Sequence, residues 1–222
     1  MIESKKPATI EYSAKNFLFC VLGFCLAGFV AWFGYVQFFT KGLERLPTKV
    51  CEKTVDREMV IKVLPSARSA EEGADRHNSG DKLSFHCGVV TSSDSSLWAQ
   101  AQVRPVSKEK WLSSYRGSGG GSRTAHVSLD GVEAVARLNP EATEAGVYVP
   151  CVPPVVPSYN ASAAYAVITE ASVGGETHAT GATLRQTLTD VAYRIAEHAY
   201  KLAECKAARD FPEELPRYED GK

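Results

Sequence analysis

A serine and a lysine three residues apart have a spacing that is typical of one class of catalytic site. Ser107 and Lys110 match the S-x-x-K pattern, in which an amine lies beside a nucleophilic hydroxyl. Enzymes that use this pattern also carry K-T-G and S-D-N segments, and neither occurs in this sequence. The pair therefore predicts a solvated turn. The glycine-rich segment 117–122 also lacks the G-x-S-x-G order of a nucleophile elbow.

Histidine side chains offer a second route to chemistry, through metal binding. No H-E-x-x-H or C-x-x-C segment occurs, and no two histidines are spaced as neighbours on a helix or strand. We therefore predict no metal and no other cofactor, and we expect structural or loop positions for these side chains. The histidines are His77, His86, His126, His178 and His198.

Four cysteines in the polar part of the chain form an even set, which is typical of an oxidising compartment. Three pairings are possible, and the sequence does not choose between them. We favour a bond of Cys87 with Cys151, which joins two core-facing strands, and a bond of Cys51 with Cys205, which ties the start of the domain to its last helix. The alternative is four unpaired buried thiols, because free cysteine also prefers interiors.

A group of aromatic and polar side chains indicates a possible contact surface. In the strand predicted for Leu97–Val106, Trp98 alternates onto the face opposite the core side. Aromatic rings beside polar groups are typical of contact surfaces, although a covering helix or loop would explain the same pattern. The predicted surface comprises Trp98, Gln100, Gln102 and Arg104, with Trp111 and Tyr115 in the glycine-containing segment that follows.

The first structural element that the sequence predicts is an uncharged run between Lys15 and Lys41. Phe17 to Phe39 is long enough to cross a bilayer, which needs about 20 apolar residues per helix. A cleaved signal peptide is the competing interpretation, but no A-x-A-like site follows the run. We predict an uncleaved single-pass anchor with residues 1–16 in the cytoplasm and the remaining domain outside the cell membrane.

Small residues recur along one side of this helix and predict close approach of a second helix. We therefore expect a homo-oligomer or a protein partner through the membrane segment. The residues are Gly23, Ala27, Ala31 and Gly34.

The composition bounds the rest of the chain. With 25 basic and 26 acidic side chains among 222 residues, the protein is near neutral, which argues against nucleic-acid binding. We predict one α+β domain over residues 51–210, joined to the membrane helix at 17–39 by a stalk at 40–50. Residues 211–222 are predicted to be a flexible tail.

Within this domain, hydrophobic spacing predicts an antiparallel sheet between a short first helix and a long last helix. Thr54 caps the first helix, and Thr183 with Gln186 makes a capping box for the second. Residues 66–82 are predicted to be an exposed loop, and 107–123 a flexible connection. The predicted helices are Thr54–Leu64 and Leu184–Ala208; the predicted strands are Leu83–Thr91, Leu97–Val106, Thr124–Leu129, Gly146–Val152 and Ser162–Val173.

The cysteine-bearing segments resemble those of uncharacterised actinobacterial cell-envelope proteins. The matching pieces are Leu46-Pro47 with Cys51, Phe85-His86-Cys87, Tyr148-Val149-Pro150-Cys151 and Ala203-Glu204-Cys205. The resemblance covers about Leu46 to Ala208. It implies a secreted, disulfide-stapled α+β domain, and it implies no reaction, substrate or catalytic residue.

Without a catalytic motif, we expect a membrane-anchored binding module or accessory subunit that acts by contact with protein or envelope ligands. The alternative is a cell-envelope hydrolase whose active site is assembled from distant segments.

Overall fold

The structure is a computed structural model that describes residues 14–79, 82–116, 124–138 and 143–218. The glycine-rich part of the predicted connection, residues 117–123, lies outside these ranges, as do residues 1–13 of the predicted cytoplasmic segment. Helix α1, Ala14–Phe39, contains the uncharged 23-residue stretch Phe17–Phe39, with a mean hydropathy of 2.2. None of this stretch is buried against the rest of the chain. By length and composition, it is the one described helix fit to cross a membrane.

The domain after α1 is built on a seven-stranded antiparallel sheet, which confirms the predicted α+β class with a long last helix. Two short strands, β1 (Lys49–Val50) and β2 (Val55–Asp56), pair beside the sheet and lead into helix α2, Arg57–Val63. The sheet order is β3-β4-β5-β9-β8-β7-β6. Its strands are β3 (Ala70–Ser79), β4 (Lys82–Thr91), β5 (Ser96–Pro105), β6 (Thr124–Leu129), β7 (Val132–Arg137), β8 (Glu144–Pro150) and β9 (Tyr165–Gly174); helix α3 is Lys108–Arg116 and helix α4 is Gly181–Leu202.

The core lies between α4 and one side of the sheet, which we call the inner face. Alternate residues of β4 and β5 are buried there, as the period of two in the sequence predicts. Thr169 Oγ1 of β9 also donates a hydrogen bond to the Ala192 carbonyl of α4, 3.0 Å away. The buried inner-face residues of β4 and β5 are Leu83, Phe85, Cys87, Val89, Leu97, Ala99, Ala101 and Val103.

The ends of α4 differ from the prediction. The helix begins after Thr180, at Gly181 with φ +56°, and the Thr183–Gln186 capping box does not form. Gln186 instead donates to Asp190 and accepts a hydrogen bond from the Tyr218 amide. The helix ends at Leu202, so Cys205 lies beyond it.

Both predicted flanking segments belong to the folded domain. In the predicted stalk, Leu43 and Leu46 are buried, and the Gly42 amide donates to the Ala67 carbonyl at 2.8 Å. In the predicted loose tail, Leu215 is buried and the Tyr193 hydroxyl donates to the Pro212 carbonyl. These two predictions are therefore wrong for residues 42–50 and 211–218, because apolar side chains in otherwise polar segments pack onto the core.

Three further assignments are corrected. The first helix begins at Arg57, with Asp56 rather than Thr54 at its N-cap position. The predicted exposed loop at 66–82 contains β3, and the predicted flexible connection at 107–123 contains α3. Strand β7 was not predicted, because its alternation is hidden by a run of small and apolar residues that are buried on both faces.

All four cysteines of the domain form disulfides, but the favoured pairing is wrong. Cys51 bonds Cys87 and Cys151 bonds Cys205, with Cα separations of 5.4 and 5.2 Å. Strands β5 and β9 lie between β4 and β8, so Cys87 and Cys151 are separated by at least three strand spacings, roughly 14 Å. A disulfide cannot bridge that distance.

Candidate binding surface

The side of the sheet opposite α4, which we call the outer face, carries the predicted contact residues. Cross-strand pairing places the outer-face residues in rows. One row runs from Asp75 through His86 and Gln100 to Glu170, and the next contains Gly88, Trp98 and Ser172. Helix α3 covers only part of this face. The face therefore has a covered half, on β7, β8 and the start of β9, and an open half, on β3, β4, β5 and the end of β9.

The covered half is a second, smaller hydrophobic core. Trp111 and Tyr115 of α3 are only 4% and 2% exposed, and they pack on Val135, Tyr148 and Ala166 of the sheet. The rings of Trp111 and Tyr148 lie 5.5 Å apart between centroids. The prediction that Trp111 and Tyr115 are contact residues is wrong, because both side chains are buried between α3 and the sheet.

Tyr115 lies so close to the sheet that only glycine fits beneath it. A Cβ atom built on Gly146 would lie 2.0 Å from the Tyr115 hydroxyl oxygen. This hydroxyl is buried and has no hydrogen-bond partner among the described residues. Burial, with the nearby carboxylates Glu170 and Glu144, raises the pKa of Tyr115 well above its usual value. The tyrosine is therefore a neutral packing group.

A buried carboxylate holds the start of α3. Glu133 of β7 is 5% exposed and accepts hydrogen bonds from Lys108 Nζ at 3.1 Å and from His126 Nε2 at 2.8 Å. Burial opposes ionisation of Glu133, but the hydrogen bonds from Lys108 and His126 outweigh it and lower its pKa. Charge pairing thus fixes α3 over β7.

Ser107 and Lys110 also serve α3. Ser107 Oγ accepts a hydrogen bond from the Lys110 backbone amide at 3.3 Å, and the Ser107 carbonyl accepts one from the Trp111 amide. This is the geometry of an N-cap, in which a hydroxyl satisfies an amide of the first helical turn. The S-x-x-K spacing therefore marks a helix start rather than the predicted turn.

Trp98 is the most prominent side chain of the open half. It is 51% exposed, and its ring lies across Gly88 of the neighbouring strand. A Cβ atom on Gly88 would lie 2.5 Å from the ring, so the absence of a side chain there lets the indole lie flat on the sheet. Trp98 Nε1 donates to Ser96 Oγ at 3.0 Å, which satisfies its polar atom locally and leaves one ring face to solvent.

Two shallow depressions lie on either side of Trp98. The first has a volume of about 360 Å³, and Gln100 Nε2 donates to Glu170 Oε2 across its floor at 3.0 Å. The second, about 410 Å³, lies towards β3. Polar side chains from four strands converge on the first depression, which is lined by His86, Trp98, Ala99, Gln100, Glu144, Glu170 and Ser172.

The other two predicted contact residues lie farther along the open half. Gln102 and Arg104 line a separate depression of about 360 Å³ near the end of β5. The structure thus brings Trp98 and Gln100 together, and it leaves Gln102 and Arg104 on the same face. Sequence reasoning did not assign His86, Glu144, Glu170 or Ser172 to this surface, since they lie on other strands. Strand pairing alone brings them to Trp98.

The first depression suits a ligand that has a flat apolar face edged by hydrogen-bond donors. The indole of Trp98 offers the flat surface, and Glu144 and Glu170 offer acceptor oxygens beside it. Over the described ranges, no three His, Cys, Asp or Glu side chains are grouped as metal ligands would be. His126 and His198 instead pair with Glu133 and Glu52 at 2.8 and 3.3 Å.

In α1, Gly23, Ala27, Ala31 and Gly34 share one side of a continuous helix, as their spacing predicts. No atom of the described chain lies near where a Cβ would stand on Gly23, Gly28 or Gly34. That side of the helix is therefore free of contacts with the described domain.

In comparison with known proteins, no protein-family model, curated protein or solved structure matches this chain. The resemblance to actinobacterial envelope proteins stays a prediction.

Proposed function

We propose that this protein is a membrane-anchored binding module, with α1 in the membrane, its N-terminus in the cytoplasm and the disulfide-bonded domain outside. The apolar helix Phe17–Phe39 supports the anchor, and the bonds Cys51–Cys87 and Cys151–Cys205 support an oxidising compartment. The small-residue side of α1 supports contact with a second membrane helix, from another copy or from a partner protein.

The observation that carries the binding role is the open half of the outer face. Helix α3 covers one half of this face, whereas the large ring of Trp98 on the other half is about half exposed to solvent. Exposed aromatic rings that are surrounded by polar groups mark interaction sites. The ligand surface is Trp98 with Gln100, Glu144 and Glu170.

The chemistry of this surface favours a sugar-like ligand of the cell envelope. A pyranose ring presents a flat C–H face, which packs on an indole, and a rim of hydroxyls, which donate to carboxylate oxygens. Glu170 is already oriented by Gln100, so one of its oxygens is held in place before a ligand arrives. Such preorganisation lowers the entropy cost of binding.

The test is a fluorescence titration of the full chain, in detergent, with soluble oligosaccharides released from peptidoglycan. Trp98 is expected to change its emission on binding. Isothermal titration calorimetry, which needs no fluorophore, should show that Trp98→Ala weakens binding at least tenfold while the chain stays folded. The matched control is Tyr159→Ala, which removes a ring that is 79% exposed and distant from β5 along the chain. Loss of the thermal transition in Trp98→Ala, or binding that Trp98→Ala leaves unchanged, would contradict the proposal.

A hydrolase is the second candidate, and one observation favours it. Glu144 and Glu170 lie on adjacent strands and line the same depression, and glycoside hydrolases use a pair of carboxylates. The same oligosaccharides distinguish the two roles. Cleavage that is lost in Glu144→Gln and in Glu170→Gln would establish the hydrolase, whereas binding without cleavage supports the module.

A further inference from the structure

Strand β3 lies at the edge of the sheet, and its side chains are uncovered on both faces. It pairs with β4 on one side, and within the described chain no strand pairs with its other side. Nine of its ten residues are exposed, and Ala70 is half-buried. A long edge of this kind presents a row of unpaired backbone amides and carbonyls, which is a template for another strand.

Two devices that often protect an edge strand, proline and a bulge, are missing here, while a third, charged side chains, is present. Strand β3 contains no proline, and its register with β4 runs one for one from Ala70 opposite Thr91 to Ser79 opposite Lys82, without a bulge. The strand is also held in place, because the Cys51 amide donates to Glu72 Oε2 at 2.8 Å. The edge is thus regular and fixed.

Charges along β3 are separated by sign. The acidic Glu71, Glu72 and Asp75 precede the basic Arg76, and His77 follows it. An antiparallel copy of the same strand would bring start against end. When the two copies are centred on Ala74, Glu72 faces Arg76 on one side of the sheet and Glu71 faces His77 on the other. The opposite charges of Glu72 and Arg76 at facing positions stabilise the antiparallel pair, and Glu71 can accept a hydrogen bond from the ring N–H of His77.

The alternative registers are less favourable. A slip of one residue would set inner-face side chains of one copy against outer-face side chains of the other. The nearest alternative registers are therefore slips of two residues, which are centred on Gly73 and on Asp75. The register centred on Gly73 places Glu71 opposite Asp75. The register centred on Asp75 places Asp75 opposite Asp75 of the second copy. Both place like charges face to face, which destabilises the pair. The register centred on Ala74 is the one among the three that pairs opposite charges.

We propose that β3 is a dimerisation strand, which pairs antiparallel with β3 of a second copy in the register centred on Ala74. The sheets of the two copies then form one continuous sheet. Anchoring both copies in one membrane raises their effective concentration, so a modest edge contact suffices. This inference stands whether or not Trp98 binds a sugar.

The test is disulfide trapping in the native membrane with the full chain, after Cys20 and Cys25 have been replaced by serine. In the proposed register, the two Ala74 Cα atoms lie about 4.5–5.5 Å apart, which a disulfide spans. Ala74→Cys should therefore give a reducible dimer band on mild oxidation, joined through the introduced thiols of both copies. The matched control is Ser79→Cys on the same strand, whose two copies would lie roughly 33 Å apart and should stay monomeric.

Charge reversal tests the register. Arg76→Glu, added to Ala74→Cys, places the introduced carboxylate opposite Glu72 and should lower the dimer yield severalfold. The control Lys110→Glu makes the same charge change on α3 and should leave the yield unchanged. Co-expression of the Arg76→Glu chain with a Glu72→Lys chain restores opposite charges in a mixed dimer, and its trapped yield should recover; thermal melting confirms that each variant folds.

Three outcomes would overturn the proposal. These are absence of the dimer band in Ala74→Cys, equal trapping of Ser79→Cys, and trapping of a different protein by Ala74→Cys. An undiminished dimer in the Arg76→Glu variant would overturn the register and the charge argument with it.

Discussion

The covered and open halves of the outer sheet face carry similar residues in different states. On one half, Trp111 of α3 packs against the sheet and is 4% exposed; on the other, Trp98 lies on the uncovered sheet and is 51% exposed. Each tryptophan neighbours a tyrosine or histidine, and each half has a glycine beneath a ring, Gly146 or Gly88. The difference comes from one short helix, whose position is set by Glu133. An aromatic ring near a sheet is therefore core or surface according to what lies above it.

Truncating the two tryptophans should expose this contrast most strongly. Trp111→Ala removes the centre of the small core under α3 and should lower the free energy of unfolding by about 3–5 kcal/mol. Trp98→Ala removes a half-exposed ring and should cost about 1 kcal/mol or less. Urea unfolding followed by circular dichroism measures both. Equal losses in the two variants would mean that Trp98 is also a core residue.

The two glycines give a smaller and more local comparison. Gly146→Ala forces a Cβ against the buried Tyr115 hydroxyl and should destabilise the domain by about 1–3 kcal/mol, because the ring has no room to move. Gly88→Ala meets the Trp98 ring, which can swing into solvent, and should change stability by about 0.5 kcal/mol or less. Thermal melting of both variants tests this order, and a reversed order would contradict the difference in packing.

A third comparison concerns the pH dependence of the covered half. The pKa of Glu133 is lowered in the folded state, so its contribution is present above the unfolded value of about 4.3 and is lost as pH falls through the folded pKa. Glu133→Gln should therefore cost about 2 kcal/mol at pH 7 and progressively less below about pH 4. A cost that stays constant from pH 7 to pH 3 would show that the ionised carboxylate is not what holds α3.

Much of the fold follows from periodicity. The alternation in β4 and β5 and the helical spacing in α4 predict these elements and their buried faces. Apolar residues recur every second position in the strands and every three to four positions in the helix, because each element buries one face in the core. Periodicity does not predict strand β3, because neither of its faces is buried. It is exposed on both faces, so its polar sequence has the composition of a loop while its backbone hydrogen bonds to β4 make it a strand.

The candidate surface was predictable only in part, because it depends on strand order. The sequence places Trp98 and Gln100 on one face of one strand, which the structure confirms. It does not place Glu170 beside Gln100, since the two are far apart in the chain and meet only through the pairing of β5 with β9. The disulfide pairing was wrong for the same reason: Cys87 and Cys151 share a face but have two strands between them.

The bond between Cys51 and Cys87 also has a mechanical consequence for an anchored domain. Any pull transmitted from α1 enters the folded part through Leu43 and Leu46 and reaches Cys51, where a covalent link passes it directly to β4 inside the sheet. The intervening segment, which includes α2 and β3, lies within the loop that this link closes. In the proposed membrane-anchored state, tension on α1 would therefore load the sheet and bypass that segment.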